Sequence, residues 1–237
     1  LMSEWFQQWF GEEYLQLYPH RDAGEAARLA ALVASRVPSL SGSRMLDVGC
    51  GPGRHLQAFE SIGARPIGLD LSASLLARAR QASTVPLIRA DMRHLPIRPG
   101  SFDLVVNLFT SFGYFATDEE HFQAIAQMAA ALRPGGWLVI DFLNAAAVTA
   151  GLVRAESAVL GQTRVEIERR LEAGRVIKTI RTADGRSFTE RVRLLGLAEL
   201  TGMITRAGLA LRSTAGEYDG SVHASTSSRL ILFAERP

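Results

Sequence analysis

Three glycines at alternate positions, Gly49, Gly51 and Gly53, stand in the stretch LDVGCGPGRHL at residues 46–56, just after a short apolar run. Glycine adopts positive φ angles and lets a ligand approach bare backbone. A helix that begins near Arg54 would direct its free amides at an anionic or polar group. The stretch predicts a turn that binds a nucleotide-like ligand, although a tight turn with only a structural role has the same composition.

The spacing of these glycines narrows the choice of ligand. A dinucleotide fingerprint, G-x-G-x-x-G, requires a glycine at position 54, where the chain has Arg54. The sequence contains no G-x-x-x-x-G-K-[ST], which excludes a P-loop. Three predicted strands end at Asp47, Asp70 and Asp91, and the second of these lies 21 residues after Gly49, where a carboxylate binds both ribose hydroxyls.

The elements that must position these residues alternate between short apolar strands and helices from Arg44 to Asp141. Thr117 and Glu120 form a capping box at the start of the clearest helix, whose apolar face is Phe122, Ile125, Met128 and Leu132 and which Pro134-Gly135-Gly136 ends. Runs such as LVVNLF and WLVIDFL are apolar on both faces, which is typical of a doubly wound parallel sheet with its ligand crevice at the carboxyl ends of the strands. The predicted strands are Arg44–Val48, Pro66–Leu69, Leu87–Ala90, Asp103–Asn107 and Trp137–Phe142.

The pattern changes after Phe142. The segments TRVEIERRL, RVIKTIR and SFTERVRLL alternate with period two and are joined by Ala173-Gly174 and Asp184-Gly185, so they predict an inserted antiparallel patch that either covers a substrate or pairs with a second subunit. A helix through Leu197, Leu200 and Ile204 and two late strands, near Leu209–Ser213 and Arg229–Ala234, follow.

The composition is that of a globular protein. The chain has 237 residues, 47% hydrophobic and 21% charged, and no apolar run reaches the roughly 18 residues of a membrane helix. A single cysteine, Cys50, favours the cytoplasm, and Leu1 ahead of Met2 is interpreted as a cloning or processing remnant. The net charge is +2, and the basic residues are scattered arginines apart from Lys178, so no nucleic-acid footprint is expected.

Taken in order, the segments LDVGCGPGRHL, GLDLS, RADMRHLP, FDLVVNLFTSFGYF and LRPGGWLVIDF resemble class I S-adenosylmethionine-dependent methyltransferases, of the small-molecule type with an antiparallel insertion. The resemblance implies a Rossmann-like α/β fold with a mostly parallel seven-stranded sheet whose last strand is antiparallel. It divides the chain into an N-terminal helical lid at 1–40, a cofactor-binding domain at 41–152 and 196–237, and the β insertion at 153–195.

The resemblance also implies roles for individual residues toward S-adenosyl-L-methionine, and it implies no metal. Asp47, Gly49 and Gly51 would contact the methionine moiety, partly through the backbone, and Asp70 would bind the ribose hydroxyls. Cys50 would be a further residue of the cofactor site. Leu71 would pack on the adenine, Asp91 would accept from the adenine amino group, and the Met92 amide would reach the edge of the ring. Asn107 and Leu108 would line the pocket below the sulfonium.

Methyl transfer from a sulfonium requires alignment of the acceptor more than a dedicated base. Where a base is used, His121 is the first candidate because it follows the FTSFGYF loop at the end of the fourth strand, and His20 and His223 are the others. Tyr14 and Tyr114 are candidate orienting groups.

The N-terminal segment WFQQWFGEEYLQLY places Phe6, Phe10, Tyr14 and Tyr18 four residues apart. This spacing predicts one aromatic stripe on a helix, which is either a core-facing surface or a lid hinged at Gly11 that excludes water from the reacting centre. An aromatic face also attracts cations such as a sulfonium.

The expected acceptor is the nitrogen or oxygen of a small molecule. The stretch NLFTSFGYF lacks the Asn/Asp-Pro-Pro-aromatic motif of enzymes that methylate base amino groups, and Cys50 lies in the glycine turn, where it is not a nucleophile for cytosine. Two alternatives remain: a nicotinamide-dependent oxidoreductase and a non-catalytic S-adenosylmethionine-binding module. A homodimer through the insertion is a further prediction, and neither nucleic acid nor membrane is expected as a partner.

Overall fold

The computed structural model of the chain describes residues 4–18 and 23–237. Its helices are α1 (Trp5–Trp9), α2 (Glu12–Leu17), α3 (Ala23–Arg36), α4 (Arg54–Ser61), α5 (Ala73–Ala82), α6 (Asp118–Ala131), α7 (Ala145–Ala150) and α8 (Leu197–Arg206). The strands are β1 (Arg44–Val48), β2 (Arg65–Asp70), β3 (Leu87–Arg89), β4 (Phe102–Asn107), β5 (Leu132–Leu143), β6 (Ala155–Leu160), β7 (Thr163–Glu172), β8 (Arg175–Thr182), β9 (Ser187–Arg193), β10 (Ala210–Ala215) and β11 (Arg229–Glu235).

Seven strands form the central sheet in the order β10, β11, β5, β4, β1, β2, β3. Six of these strands run in one direction, and β11 runs in the opposite direction between β5 and β10. The strand order reverses between β1 and β4, which are parallel neighbours, so the crevice of the sheet opens at their carboxyl ends. The predicted α/β fold, with a doubly wound and mostly parallel seven-stranded sheet, is confirmed.

Helices cover both faces of this sheet because its strands are apolar on both sides. In β1, Leu46 and Val48 pack into the cluster that contains α6 and α8, whereas Met45 packs into a second cluster with α3 and α4. Alternate residues of a strand point to opposite faces, so one continuous apolar run supplies two cores.

Helix α6 begins where the sequence predicts. The Thr117 hydroxyl accepts from the Glu120 amide at 3.2 Å, and the Glu120 carboxylate accepts from the Thr117 amide at 3.0 Å. The helix ends earlier than predicted, at Ala131, because strand β5 starts at Leu132 and not at Trp137. Leu132 and Trp137 pair with Phe102 and Leu104, two residues apart on β4, so residues 133–136 are an irregularity within the strand.

The insertion is a separate four-stranded antiparallel sheet in the order β6, β7, β8, β9. The sequence predicted three of these strands. The fourth, Ala155–Leu160, was missed because AESAVL is mostly exposed and has no clear two-residue alternation.

The N-terminal prediction of one helix was wrong. The chain forms two short helices, α1 and α2, separated at Phe10 and Gly11. Trp9 and Leu17 are buried against Val165, Ile167 and Ile180 of the insertion sheet, and this tertiary contact favours two short segments over one straight helix. No helix within 4–18 and 23–237 combines the length and the apolar character needed to cross a bilayer.

Candidate functional site

The turn between β1 and α4 is built on backbone that favours glycine. Gly49, Gly51 and Gly53 have φ angles of 81°, 54° and 86°. The amides of Gly49 and Cys50 both donate to the carbonyl of Leu69 on β2, at 2.7 and 3.0 Å. A Cβ on Gly49 would lie 2.7 Å from Cβ of Ser111, whereas a Cβ on Gly51 would meet nothing within 4 Å. The turn therefore packs against the β4 loop at Gly49 and is open at Gly51.

Two buried acceptor atoms lie beneath this turn. Oδ2 of Asp47 and Oδ1 of Asn107 have no hydrogen-bond partner among the described residues. Asn107 donates to the carbonyl of Val48 at 2.8 Å, which joins β4 to β1. Burial, and then the nearby charge of Asp70, raise the pKa of Asp47 to about 7. Such atoms fit the donors of a polar, cationic ligand group, because an unsatisfied buried acceptor is costly.

Asp70, at the end of β2, faces the same turn. Its two carboxylate oxygens accept from the amides of Gly51 and Ser72, each at 2.8 Å. Burial raises the pKa of Asp70, and these backbone hydrogen bonds partly offset the rise. A carboxylate has about four acceptor sites, so two remain for the hydroxyls of a ribose.

Asp91, after β3, lies beside Arg93, which the sequence did not single out. The Arg93 guanidinium donates to both Asp91 oxygens, and it also contacts Glu4 at 2.6 Å and Glu120 at 2.8 Å. Burial tends to raise the pKa of Asp91, but the hydrogen bonds from Arg93 outweigh it and the pKa is lowered. Arg93 thus ties the N-terminal segment to this end of the site. Only the tertiary structure brings these four charged residues together.

A single cavity of about 1090 Å³ connects the turn to the insertion. Small-molecule sites measure about 300–1,000 Å³, so this cavity has room for a nucleoside and a second small molecule. Its nucleoside half includes these predicted residues: Gly49, Cys50, Gly51, Asp70, Leu71, Asp91, Met92 and Leu108. Burial raises the pKa of the Cys50 thiol, so this cysteine stays protonated.

The other half of the cavity lies between the N-terminal helices and the insertion sheet. Trp5, Phe10, Tyr14, Tyr18 and Tyr114 line it on the helical side. The ring centroids of Phe10 and Tyr114 are 5.3 Å apart, and those of Phe10 and Tyr14 are 5.1 Å apart. This wall is largely aromatic, as expected for a surface that receives an apolar or cationic group.

The insertion sheet contributes an ion pair to the adjoining wall. Lys178 and Glu190 both line the cavity, with Nζ and Oε2 3.6 Å apart. Lys178 donates to the Tyr18 hydroxyl at 2.7 Å, and the Trp9 indole donates to Glu190 at 2.8 Å. The insertion therefore forms a wall of the cavity.

The structure does not bring every predicted residue to the cavity wall. Asp47 and Asn107 lie beneath the turn, and their side chains are fully buried. His121 is also fully buried, with ring centroids 5.2 Å from both Phe112 and Phe115, and its Nε2 accepts from the Phe115 amide at 3.3 Å. Burial lowers the pKa of His121. His121 therefore has no path to an acceptor in this conformation.

The structure describes one of the other two predicted histidines. His223 lies in the loop before β11 and away from the cavity lining, and His20 lies outside the described residues. His55, in the first turn of α4, does line the cavity, and sequence reasoning did not select it. The available signal in the sequence was its position: His55 directly follows Arg54, where the helix after the glycine turn is predicted to begin.

Sequence reasoning pointed to the FTSFGYF loop that follows β4 but did not select Phe109 or Thr110 within it. Phe109 and Thr110 have φ angles of 55° and 61°, a left-handed conformation that costs non-glycine residues energy, and both line the cavity. The acidic residue Asp141 within the apolar run WLVIDFL was a signal for this site, because a buried carboxylate requires partners.

The set of hydrogen-bond acceptors fits S-adenosylmethionine. Asp70, at the end of β2, would accept from the ribose hydroxyls. The unpartnered oxygens of Asp47 and Asn107 lie at the junction of β1 and β4, where they would match an ammonium group. The described residues contain no cluster of side chains suited to a metal ion. The fold and this site are similar to those of class I S-adenosylmethionine-dependent methyltransferases.

Comparisons with known proteins show the same similarity to methyltransferases. Residues 45–136 match the family model described as a methyltransferase domain. The chain is 40% identical over 120 residues to the dTDP-3-amino-3,4,6-trideoxy-alpha-D-glucopyranose N,N-dimethyltransferase of Streptomyces venezuelae, which covers 50% of this chain and 49% of that protein. The match thus spans about half the length of that relative.

Two solved structures extend the likeness over nearly the whole chain. DesVI from Streptomyces venezuelae has 27% identity and a TM-score of 0.71, covering 94% of this chain and 95% of that one. The CcbJ methyltransferase from Streptomyces caelestis has a TM-score of 0.81 over 96% of this chain and 98% of that one. At 18% identity, the second comparison is one of fold.

Proposed function

We propose that this protein transfers the methyl group of S-adenosylmethionine to a nitrogen or oxygen atom of a small molecule. The observation that carries the proposal is the single cavity that joins the glycine turn and Asp70 to an aromatic wall. An N,N-dimethyltransferase as a relative supports amine acceptors in particular.

When bound, S-adenosylmethionine supplies a methyl group on a sulfonium, which is already a good leaving group. The protein's contribution is then to position the acceptor and to exclude water, which in favourable cases lowers a barrier by about 7–11 kcal/mol. The turn and Asp70 fix one partner. The aromatic residues of α1 and α2 and the insertion sheet enclose the other, and we propose that residues 1–40 act as a lid over residues 41–152 and 196–237.

The acceptor half also indicates what the acceptor carries. Its aromatic wall suits an apolar body, and the Lys178–Glu190 pair offers one donor and one acceptor at the adjoining wall. Tyr14 and Tyr114 stay candidates for orienting the acceptor, because both line this half. A cytoplasmic location and a homodimer through residues 153–195 stay predictions.

Isothermal titration calorimetry with S-adenosylhomocysteine and with NADH tests the cofactor. Binding of the first and not the second is expected, and the reverse result would support the oxidoreductase alternative. An Arg212→Gln variant is a suitable control, because Arg212 pairs with Glu235 on the exposed face of β10 and β11.

Transfer of radiolabelled methyl groups tests catalysis. The acceptor panel contains dTDP-3-amino-3,4,6-trideoxy-alpha-D-glucopyranose, a simple aromatic amine and catechol. Incorporation into any of them supports the enzyme. Tight cofactor binding with no incorporation across the panel would favour the non-catalytic binding module.

A further inference from the structure

The loop after β4 is held by three residues that lie behind it and do not line the cavity, namely Asp141, Tyr218 and Arg229. Asp141 is fully buried in β5. Its Oδ1 accepts from Nε of Arg229 at 2.8 Å, and its Oδ2 accepts from the Tyr218 hydroxyl at 2.8 Å and from the Phe109 amide at 2.9 Å. We refer to Asp141, Tyr218 and Arg229 as the clamp.

The clamp holds the loop at a second position as well. The Thr110 amide donates to the Asp141 carbonyl at 2.9 Å, and Arg229 donates to the Thr110 hydroxyl at 3.1 Å. The Phe109 ring packs against two guanidinium groups, with its centroid 4.2 Å from Cζ of Arg54 and 5.4 Å from Cζ of Arg229. These contacts stabilise the left-handed conformations of Phe109 and Thr110, which do not persist without such support.

The loop in turn meets the glycine turn. The hydroxyl of the next residue, Ser111, lies 3.1 Å from the Gly49 carbonyl and 2.9 Å from the Leu108 carbonyl, so the two acceptors share its one proton. The Cβ of Ser111 occupies the space that a side chain at position 49 would need. The unpartnered oxygens of Asp47 and Asn107 lie at this same junction of β1 and β4. The clamp therefore fixes the part of the site that faces the amino-acid end of the cofactor, and not the part that faces its base.

We propose that Asp141, Tyr218 and Arg229 are positioning residues that hold the Phe109–Ser111 loop against Gly49 and thereby shape the site for the amino-acid portion of S-adenosylmethionine. The inference rests on the proposed function. It assigns a role to strands β5 and β11, which are far apart in the sequence and pair in the folded sheet.

Calorimetry with two probes separates this role from general damage. S-adenosylhomocysteine carries the amino-acid portion, whereas 5′-methylthioadenosine has the same base, ribose and sulfur but lacks it. In Arg229→Lys the charge remains, but an ammonium cannot reproduce the planar fork that reaches Asp141 and Thr110 together. Its Kd for S-adenosylhomocysteine should rise about tenfold, while the Kd for methylthioadenosine should change less than about twofold.

Tyr218→Phe keeps the Asp141–Arg229 ion pair and removes one donor, so it preserves the test if Arg229→Lys does not fold. Its Kd for S-adenosylhomocysteine should rise about threefold, with methylthioadenosine again unaffected. Arg212→Lys, in the exposed pair that joins β10 to β11, serves as the matched control and should bind both probes as the wild type does.

Equal losses for both probes in the variants, or no loss for either, would overturn the proposal. A wild-type protein that binds neither probe would instead refute the proposed function itself. A wild type that binds both, with variants that lose only S-adenosylhomocysteine, supports the clamp.

Discussion

Alanine substitutions at Gly49 and Gly51 should separate a stability role from a binding role within one turn. Both positions have positive φ, which costs an alanine about 1–2 kcal/mol. At Gly49 the new Cβ would also lie 2.7 Å from Cβ of Ser111, and such overpacking costs about 1–3 kcal/mol more. Gly49→Ala should therefore lower the free energy of unfolding by about 2–5 kcal/mol, and Gly51→Ala by only about 1–2 kcal/mol.

The effects on binding should be ordered the other way once stability is taken into account. The Cβ of Gly51→Ala would meet no protein atom within 4 Å. Because Gly51 lines the cavity, the added methyl group would occupy space that the ligand needs. Its Kd for S-adenosylhomocysteine should rise at least about tenfold, equivalent to 1.4 kcal/mol. Urea denaturation gives the stabilities, and calorimetry on folded protein gives the affinities.

A double variant provides the internal control. Ser111→Gly removes the Cβ that Gly49→Ala would strike, so Gly49→Ala/Ser111→Gly should recover about 1–3 kcal/mol relative to the sum of the single variants. Strict additivity in this cycle, or equal stabilities for Gly49→Ala and Gly51→Ala, would refute the packing argument.

Three further predictions concern aspartate and histidine side chains. Asp70→Ala should weaken S-adenosylhomocysteine binding in calorimetry by about 1–3 kcal/mol, because two ribose hydroxyls lose their acceptor, and an unchanged Kd would exclude the ribose role. Because burial raises the pKa of Asp47 from 3.8 to about 7, its contribution to stability is complete below pH 3.8 and is lost as the pH rises through 7. Urea denaturation should thus show the wild type losing more stability than Asp47→Asn between these pH values, by at most about 1.4 kcal/mol per pH unit, and parallel profiles would contradict the shift. His121→Ala should lower the free energy of unfolding by about 2–5 kcal/mol as a core truncation and leave turnover of the folded enzyme unchanged, whereas a selective loss of turnover would restore His121 as a base.

The candidate site was predicted best where its residues are neighbours in sequence. The glycine turn and the strand ends at Asp70 and Asp91 were located within one or two residues, since backbone freedom and strand periodicity are written in consecutive positions. The side chain of His121 was misplaced for the opposite reason. Its position in the first turn of α6 was correct, but which face of that turn meets Phe112 and Phe115 depends on packing between segments.

The sequence by itself determined the α/β class of the fold and the resemblance to class I methyltransferases, because five short segments each encode a turn, a strand end or a capped helix. The tertiary structure alone decided how α1 and α2 meet the insertion, why Arg93 joins Glu4 to Asp91, and how Arg229 reaches Asp141 across 88 residues of chain. Contacts of this kind depend on the relative placement of whole elements. That placement is fixed by the summed burial of apolar surface across the fold, which no local pattern specifies.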